Sequence, residues 1–227
     1  MPLALGVLIS GRGSNLMAIL DAIDLGKLDA SVKVVVSNKA NAVGFVRARE
    51  RGVETVFLDP KSFIQEVNPR ESYDSAVCTV LGEHGVECVA LAGYMRIVTP
   101  VLIRKFPWKI LNIHPSLLPA FPGLHAQRQA LEWGAKVSGC TVHFVTEGVD
   151  EGPIIGQVAV SIMENETVET LSAKILEHEH QLYPRALQLM AEGRIIRENR
   201  MVRIHSSQDT LSTVERAGAT ENCYPDG

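Results

Sequence analysis

No Cys-x-x-Cys pair occurs in this sequence, and its four cysteines, Cys78, Cys88, Cys140 and Cys223, lie far apart. The usual signs of a zinc site or a disulfide framework are therefore missing, and buried free thiols in a reducing compartment are the plain reading. No apolar run approaches the ~20 residues that a membrane-spanning helix needs. The apolar opening MPLALGVLISG carries no basic stretch and reads as a first strand, not a secretion signal. Internal repeats and low-complexity blocks are absent. Charge of one sign is not in excess either, the formal net charge being −4. Nothing marks a nucleic-acid footprint, and an anionic substrate has to be held by a local site, not by an overall field. The absences together lead us to expect a cytoplasmic chain with no metal, no nucleic acid and no membrane among its partners; the sequence does not choose between monomer and homodimer.

What is present is ordinary globular composition: 227 residues, 46% apolar and 21% charged. A chain of that size can bury roughly 70% of its unfolded surface. Leu3 to Ile9 is a short apolar run closed by Ser10-Gly11, the pattern of a buried parallel strand. Ser14 stands where a helix N-cap belongs, ahead of Leu16, Met17, Ile19, Leu20 and Ile23 at helical spacing, with Gly26 as C-cap. Strands follow at Val32 to Val36, Glu54 to Leu58, Cys88 to Ala92 and Lys109 to Ile113. Helices are expected at Asn41 to Arg51, at Arg70 to His84, and at Thr99 to Phe106 with proline in its first turn. Such alternation implies right-handed βαβ units, an open, mostly parallel α/β sheet and helices on both faces.

The pattern then changes. Gly139 to Thr146 and Ile154 to Ile162 are strand-like and joined by a short turn, which predicts antiparallel additions at one sheet edge. Thr167 to Glu192 reads as one long helical stretch, its start supported by Glu169 and its course kinked or broken at Pro184. Ile195-Ile196 and Met201 to Ile204 make a small hairpin. From Ser206 the composition turns polar and loses its period, so 206–227 is expected to be a mobile tail.

Three stretches carry chemistry. SGRGSN, Ser10 to Asn15, leaves the first strand and opens the first helix, where backbone N–H groups and the helix dipole favour an anion. Gly11 and Gly13 fit a dinucleotide fingerprint, but Leu16 stands where the third glycine belongs and no P-loop lysine is present. The loop suits one phosphate better than a pyrophosphate; it reads equally as a tight turn with no ligand. Asn112 and His114 sit two apart at the end of a buried strand, so they share a face. An amide there can donate to an oxyanion and an imidazole can move protons. Pro115, Pro119 and Pro122 stiffen the exit. A lone histidine at such a place is more often one that satisfies a backbone carbonyl. Asp150 lies in a glycine-flanked turn from which a carboxylate can orient an imidazole, or simply serve the turn.

GRGSN, AGYMRIV at 92–98, NIHPSLLPAFPGLHA at 112–126 and VHFVTEGVDEGPII at 142–155, in that order, make the chain resemble the phosphoribosylglycinamide formyltransferases over about residues 4 to 204. These are folate-dependent enzymes of purine synthesis. The resemblance implies formyl transfer from 10-formyltetrahydrofolate, a cosubstrate, to the glycine amine of a ribosyl phosphate through a tetrahedral intermediate, without a metal. It implies a catalytic trio of Asn112, His114 and Asp150. It places the substrate phosphate on Gly11, Arg12, Gly13, Ser14 and Asn15, with Glu179 gripping the glycinamide substrate, although by itself Glu179 reads as a solvated helix charge. It places folate against Met95, Arg96, Ile97 and Val98, against Thr146, Glu147, Gly148, Val149 and Asp150, and beside Asn112. Arg70 meets the glutamate carboxylate of the folate, or is an exposed arginine at a helix start. His143 shares a strand face with Thr141 and either supports the site or packs in the core; His125 receives no role. Residues 1–205 are then one formyltransferase domain, with a phosphate-binding half of about 1–100 and a folate and catalytic half of about 101–205.

Rival readings fit less well. A methionyl-tRNA formyltransferase would need a further C-terminal tRNA-binding domain and a basic surface. A formyltetrahydrofolate hydrolase would carry an N-terminal regulatory domain, whereas the first strand here starts at residue 3. A dinucleotide-binding protein would place an acid soon after the second strand, where Ser37-Asn38-Lys39 stands.

Overall fold

β1 (Leu3–Ile9) lies in mid-sheet with its six residues from Ala4 onward buried, as expected of a strand covered on both faces. The computed structural model describes residues 1–206. β2 (Ala30–Ser37), β3 (Thr55–Phe57), β4 (Cys88–Leu91) and β5 (Ile110–His114) continue the parallel sheet. β6 (Val137–Phe144) pairs antiparallel with β5, and β7 (Ile154–Ser161) antiparallel with β6. The order is β3-β2-β1-β4-β5-β6-β7, so the expected antiparallel edge is present. β8 (Ile195–Glu198) and β9 (Met201–Ile204) form the expected separate hairpin.

Alternation along β1 builds two cores. Leu5, Val7 and Ile9 pack on one face with α1 (Ser14–Asp24), α2 (Val43–Glu50) and α6 (Val168–Ala191). Leu8 points the other way, toward α3 (Pro69–Glu83) and α4 (Pro100–Lys105). Helices therefore cover both faces.

Four local expectations need correction. The cap of α1 is Gly13, not Ser14: the chain enters the helix through a left-handed residue, φ 71°, which favours glycine, and Ser14 is already helical. Helix α6 runs unbroken through Pro184. Its buried face of Leu171, Ile175, Tyr183, Pro184 and Leu187 outweighs the one hydrogen bond that proline removes, and Thr167 and Thr170 close a capping box at its start. A short helix, α5 (Ala126–Glu132), stands where none was read, hidden behind the proline-rich loop, and Pro60–Phe63 adds a 3-10 turn. Cys88 and Cys140 are buried, each thiol pushed up to about 12 by desolvation, but Cys78 is only half-buried, because it lies between the core face and the edge of α3. The expected tail, apart from Ser206, lies outside the described residues, as does Cys223.

Candidate active site

β1 has β2 on one side and β4 on the other, so the chain reverses its direction of travel across the sheet between β1 and β4. Ligands of open α/β sheets bind beyond the strand ends at such a switch point. Ser10 leaves β1 here, and its N–H donates to the Gly93 carbonyl beyond β4 at 3.0 Å. The Ser10 hydroxyl accepts from the Met95 N–H at 2.8 Å and donates to Asn38 Oδ1 at 2.6 Å. The first glycine loop is packed tightly: a Cβ on Gly13 would come within 2.7 Å of Gly44 Cα, and the Gly44 N–H donates to the Gly11 carbonyl at 3.2 Å. No side chain caps the first turn of α1 and no acid lies in it, so its N–H groups face an open end. Arg12 is exposed at the loop tip.

Asn15 points inward. Its Nδ2 donates to Glu179 Oε2 at 2.8 Å, while its buried Oδ1 has no partner. Glu179 is only 7% exposed, so it is not a solvated helix charge, and burial raises its carboxyl above the usual range.

The end of β5 gathers the expected trio. His114, 5% exposed, sets Nδ1 3.3 Å from Asp150 Oδ2, and its Nε2–H donates to the Phe121 carbonyl at 2.9 Å. Both the catalytic and the plain reading of this histidine are therefore half realised. Burial, the largest influence, pulls the ring below the ordinary histidine range, with Asp150 and the Phe121 carbonyl pulling back. The Asp150 carboxylate beside Nδ1 and the Phe121 carbonyl on Nε2 both favour the charged ring against that burial. Asp150 is a ready counter-ion. Burial would raise its carboxyl, but the nearby charge of His114 and the Gly123 N–H at 2.8 Å more than offset that, and the net lies below the usual range.

His143 stands against both remaining members. Its Nε2 is 3.2 Å from Asn112 Nδ2 and 3.6 Å from Asp150 Oδ1, and its Nδ1–H donates to the Phe144 carbonyl at 2.9 Å. The register of β5 with β6 sets this up, pairing Asn112 with His143 and His114 with Thr141. Thr141 Oγ1 donates to the Ser116 carbonyl at 2.6 Å and accepts from Leu118 N–H at 3.1 Å and Gln157 Nε2 at 2.9 Å. The proline loop is thereby tied to β6 and β7. Gln157 carried no sequence signal, because nothing local marks which residue will stand opposite it on the neighbouring strand.

A cleft of about 430 Å³, lined by none of the trio, brings together Arg70, Ile97, Val98 and Glu147. Arg70 is exposed, and its Nη2 donates to the Ile97 carbonyl at 3.3 Å. Met95, Ile97 and Val149 expose apolar side chains nearby in the chain. Arg96 folds away, its guanidinium 4.2 Å from the centre of the Tyr73 ring. Thr146 and Gly148 are half-buried in the turn between β6 and β7. A larger cleft of about 520 Å³ runs between α1 and α6 and contains none of the trio. Among the described residues no group of three or more His, Cys, Asp or Glu could hold a metal ion, and no helix is long and apolar enough to cross a membrane.

Residues 4–187 match the formyl transferase family. The chain belongs to that family. The phosphoribosylglycinamide formyltransferase of Escherichia coli (strain K12) is 42% identical over 189 residues, 83% of this chain and 87% of that one. The crystal structure of glycinamide ribonucleotide transformylase 1 from Symbiobacterium toebii superposes at a TM-score of 0.87 and 53% identity, covering 90% of this chain and 95% of that chain. The trifunctional purine biosynthetic protein adenosine-3 of Gallus gallus is 47% identical over 189 residues, and the chain spans only 18% of its length.

Proposed function

We propose that this chain transfers the formyl group of 10-formyltetrahydrofolate to the glycine amine of 5′-phosphoribosylglycinamide, within purine synthesis, with residues 1–205 as one catalytic domain. The observation that carries this is the His114–Asp150 pair, 3.3 Å apart at the end of β5 with Asn112 on the same face. It places a cation, a proton acceptor and an amide donor around one point.

Gly11 to Asn15 hold the phosphate on uncapped N–H groups of α1. Glu179 Oε2 and the unpartnered Asn15 Oδ1 are two buried acceptors side by side. Groups that accept only are complementary to donors, such as ribose hydroxyls or an amide N–H. The folate lies along the 430 Å³ cleft, whose lining includes Ile97, Val98, Glu147 and the Arg70 guanidinium suited to a carboxylate, with the rest of 95–98 and 146–150 around it. When bound, the folate supplies the activated formyl carbon and the leaving nitrogen.

Asn112 keeps one N–H on His143 and has a second to donate to the oxyanion that forms when the amine attacks. His114 adds positive charge there, its Nε2–H turning from the Phe121 carbonyl toward the oxyanion. Asp150 holds the imidazolium through Oδ2. Its less encumbered Oδ1, in a side chain 12% exposed, passes the amine proton through a water to the leaving nitrogen.

The test is folate absorbance during formyl transfer, with the ribonucleotide present and then omitted. We expect turnover only with the acceptor. Folate deformylation without it would replace the transferase by a hydrolase, and no reaction from folded protein would overturn the assignment.

A further inference from the structure

One stripe of α3 faces the segment that follows β4. Arg70, Tyr73, Asp74 and Cys78 recur at helical spacing, and every one touches that segment. Besides the Arg70 bond to Ile97, the Tyr94 hydroxyl donates to the Tyr73 hydroxyl at 3.5 Å. Arg96 stacks its guanidinium on the Tyr73 ring, and Cys78 Sγ reaches the Val101 carbonyl at 4.0 Å. The shortest of these contacts belongs to Asp74: its Oδ2 accepts the Thr99 N–H at 2.6 Å.

Asp74 is 2% exposed, and no ion pair with it is present among the described residues. A carboxylate buried on little more than one backbone N–H is costly to place. Burial pushes its carboxyl up, while Thr99 and the more distant charges of Arg96 and Arg70 restrain it. The proposed chemistry uses no part of it. Its bond fixes Thr99, the cap residue of α4, directly after Met95, Arg96, Ile97 and Val98. The other end of the same segment is fixed by Ser10, through the Met95 N–H and the Gly93 carbonyl. Between these two anchors the chain has no regular structure, and Gly93 stands at φ 73°.

We infer that Asp74 is a positioning residue that builds the folate wall: its bond to Thr99 sets the 95–98 backbone in place before the ligand arrives. This rests on the proposal that 95–98 face folate. Backbone groups recognise a ligand edge only if they are held still beforehand, and a loop pinned at both ends loses little further entropy on binding.

The experiment compares Asp74→Ala with Asp74→Asn, whose Oδ1 can still accept from Thr99. Michaelis constants for both substrates are measured, together with equilibrium binding of 10-formyl-5,8-dideazafolate. Asp74→Ala is expected to raise the folate KM and weaken dideazafolate binding about tenfold, the scale of one lost buried bond, with the ribonucleotide KM changed less than about twofold. Asp74→Asn should return both folate readouts to within about threefold of the parent. Equal movement of the two KM values, or an asparagine variant as poor as alanine, would overturn the inference. Amide exchange of the parent protein decides the matter if the alanine variant does not fold: the Thr99 N–H should be strongly protected, and rapid exchange would remove the anchor. A parent that neither binds the dideazafolate nor turns over would instead refute the proposed function, with Thr99 protection still reporting on the anchor.

Discussion

Asn112 commits its amide on one side to His143, so removing this proposed oxyanion donor does not open the core. Asn112→Ala is expected to lower kcat by about 10²–10³, roughly 3 kcal/mol of barrier, with the melting temperature unchanged; near-parental turnover would take Asn112 out of the chemistry. Glu179 makes a prediction about pH. Its carboxyl is raised by burial, so ionising it is harder in the folded chain than in the unfolded one. The parent therefore loses stability as pH rises from the unfolded value near 4.5 through the folded one. Glu179→Gln keeps an acceptor for Asn15 and carries no charge. Its melting temperature should exceed the parent's by about 2–4 °C at pH 7, the effect of ~1 kcal/mol in a chain this size. The gap should shrink toward pH 4, and ribonucleotide binding should fall. A gap that is constant with pH would contradict the burial argument. Neither the depth of Glu179 nor the partner of Asn112 could be read from the chain, since both depend on residues more than thirty positions away.

At the scale of elements, the turn between β6 and β7 shows what its glycines are for. Glycine at 148 and at 152 would permit movement of the turn. In the structure a Cβ on Gly152 would fall on the Phe144 carbonyl, whereas one on Gly148 would meet only the side chain of Glu151. Gly152 therefore serves a close backbone approach, which brings Asp150, at φ 55°, down onto His114. Gly152→Ala should cost about 1–3 kcal/mol of stability and reduce turnover with it. Gly148→Ala should stay within about 0.5 kcal/mol of the parent. Thermal melts and steady-state rates of the two variants decide this, and equal effects would return both glycines to the role of hinges. Helix α6 makes the same point about proline. Tyr183 is fully buried, and its single O–H is shared between the carbonyls of Leu91 at 3.1 Å and Leu111 at 2.9 Å. That links the helix to β4 and β5 one residue before Pro184, so packing holds a helix that local propensity would break. Strand and helix types were legible from apolar period and glycine stops; α5 was not, since seven residues behind three prolines give too short a period to recognise.

At the scale of the whole molecule, the glycine loop after β1 and the His114–Asp150 pair at the end of β5 lie at the same ends of parallel strands with β4 between them, where we propose that the ligands bind. A ribonucleotide bound there stabilises the fold by mass action, about 2.7 kcal/mol at a hundred times Kd. The melting temperature should rise by about 5–10 °C with 5′-phosphoribosylglycinamide and remain unchanged with NAD. A shift with NAD and none with the ribonucleotide would favour the nucleotide-binding alternative. The sequence by itself determined the sheet's parallel core and antiparallel edge, and it singled out the glycine turn and the trio that we propose as the site. Those depend on patterns within about fifteen residues: period two for strands, 3.6 for helices, glycine and proline at turns, and motifs that carry a family resemblance. Only the tertiary structure decided that Gly13 caps α1, that Glu179 is buried on Asn15, that His143 joins Asn112 to Asp150, and that Asp74 anchors Thr99. Each of these is a meeting of side chains across strand register or helix packing, and local pattern holds no record of which distant residue will stand opposite.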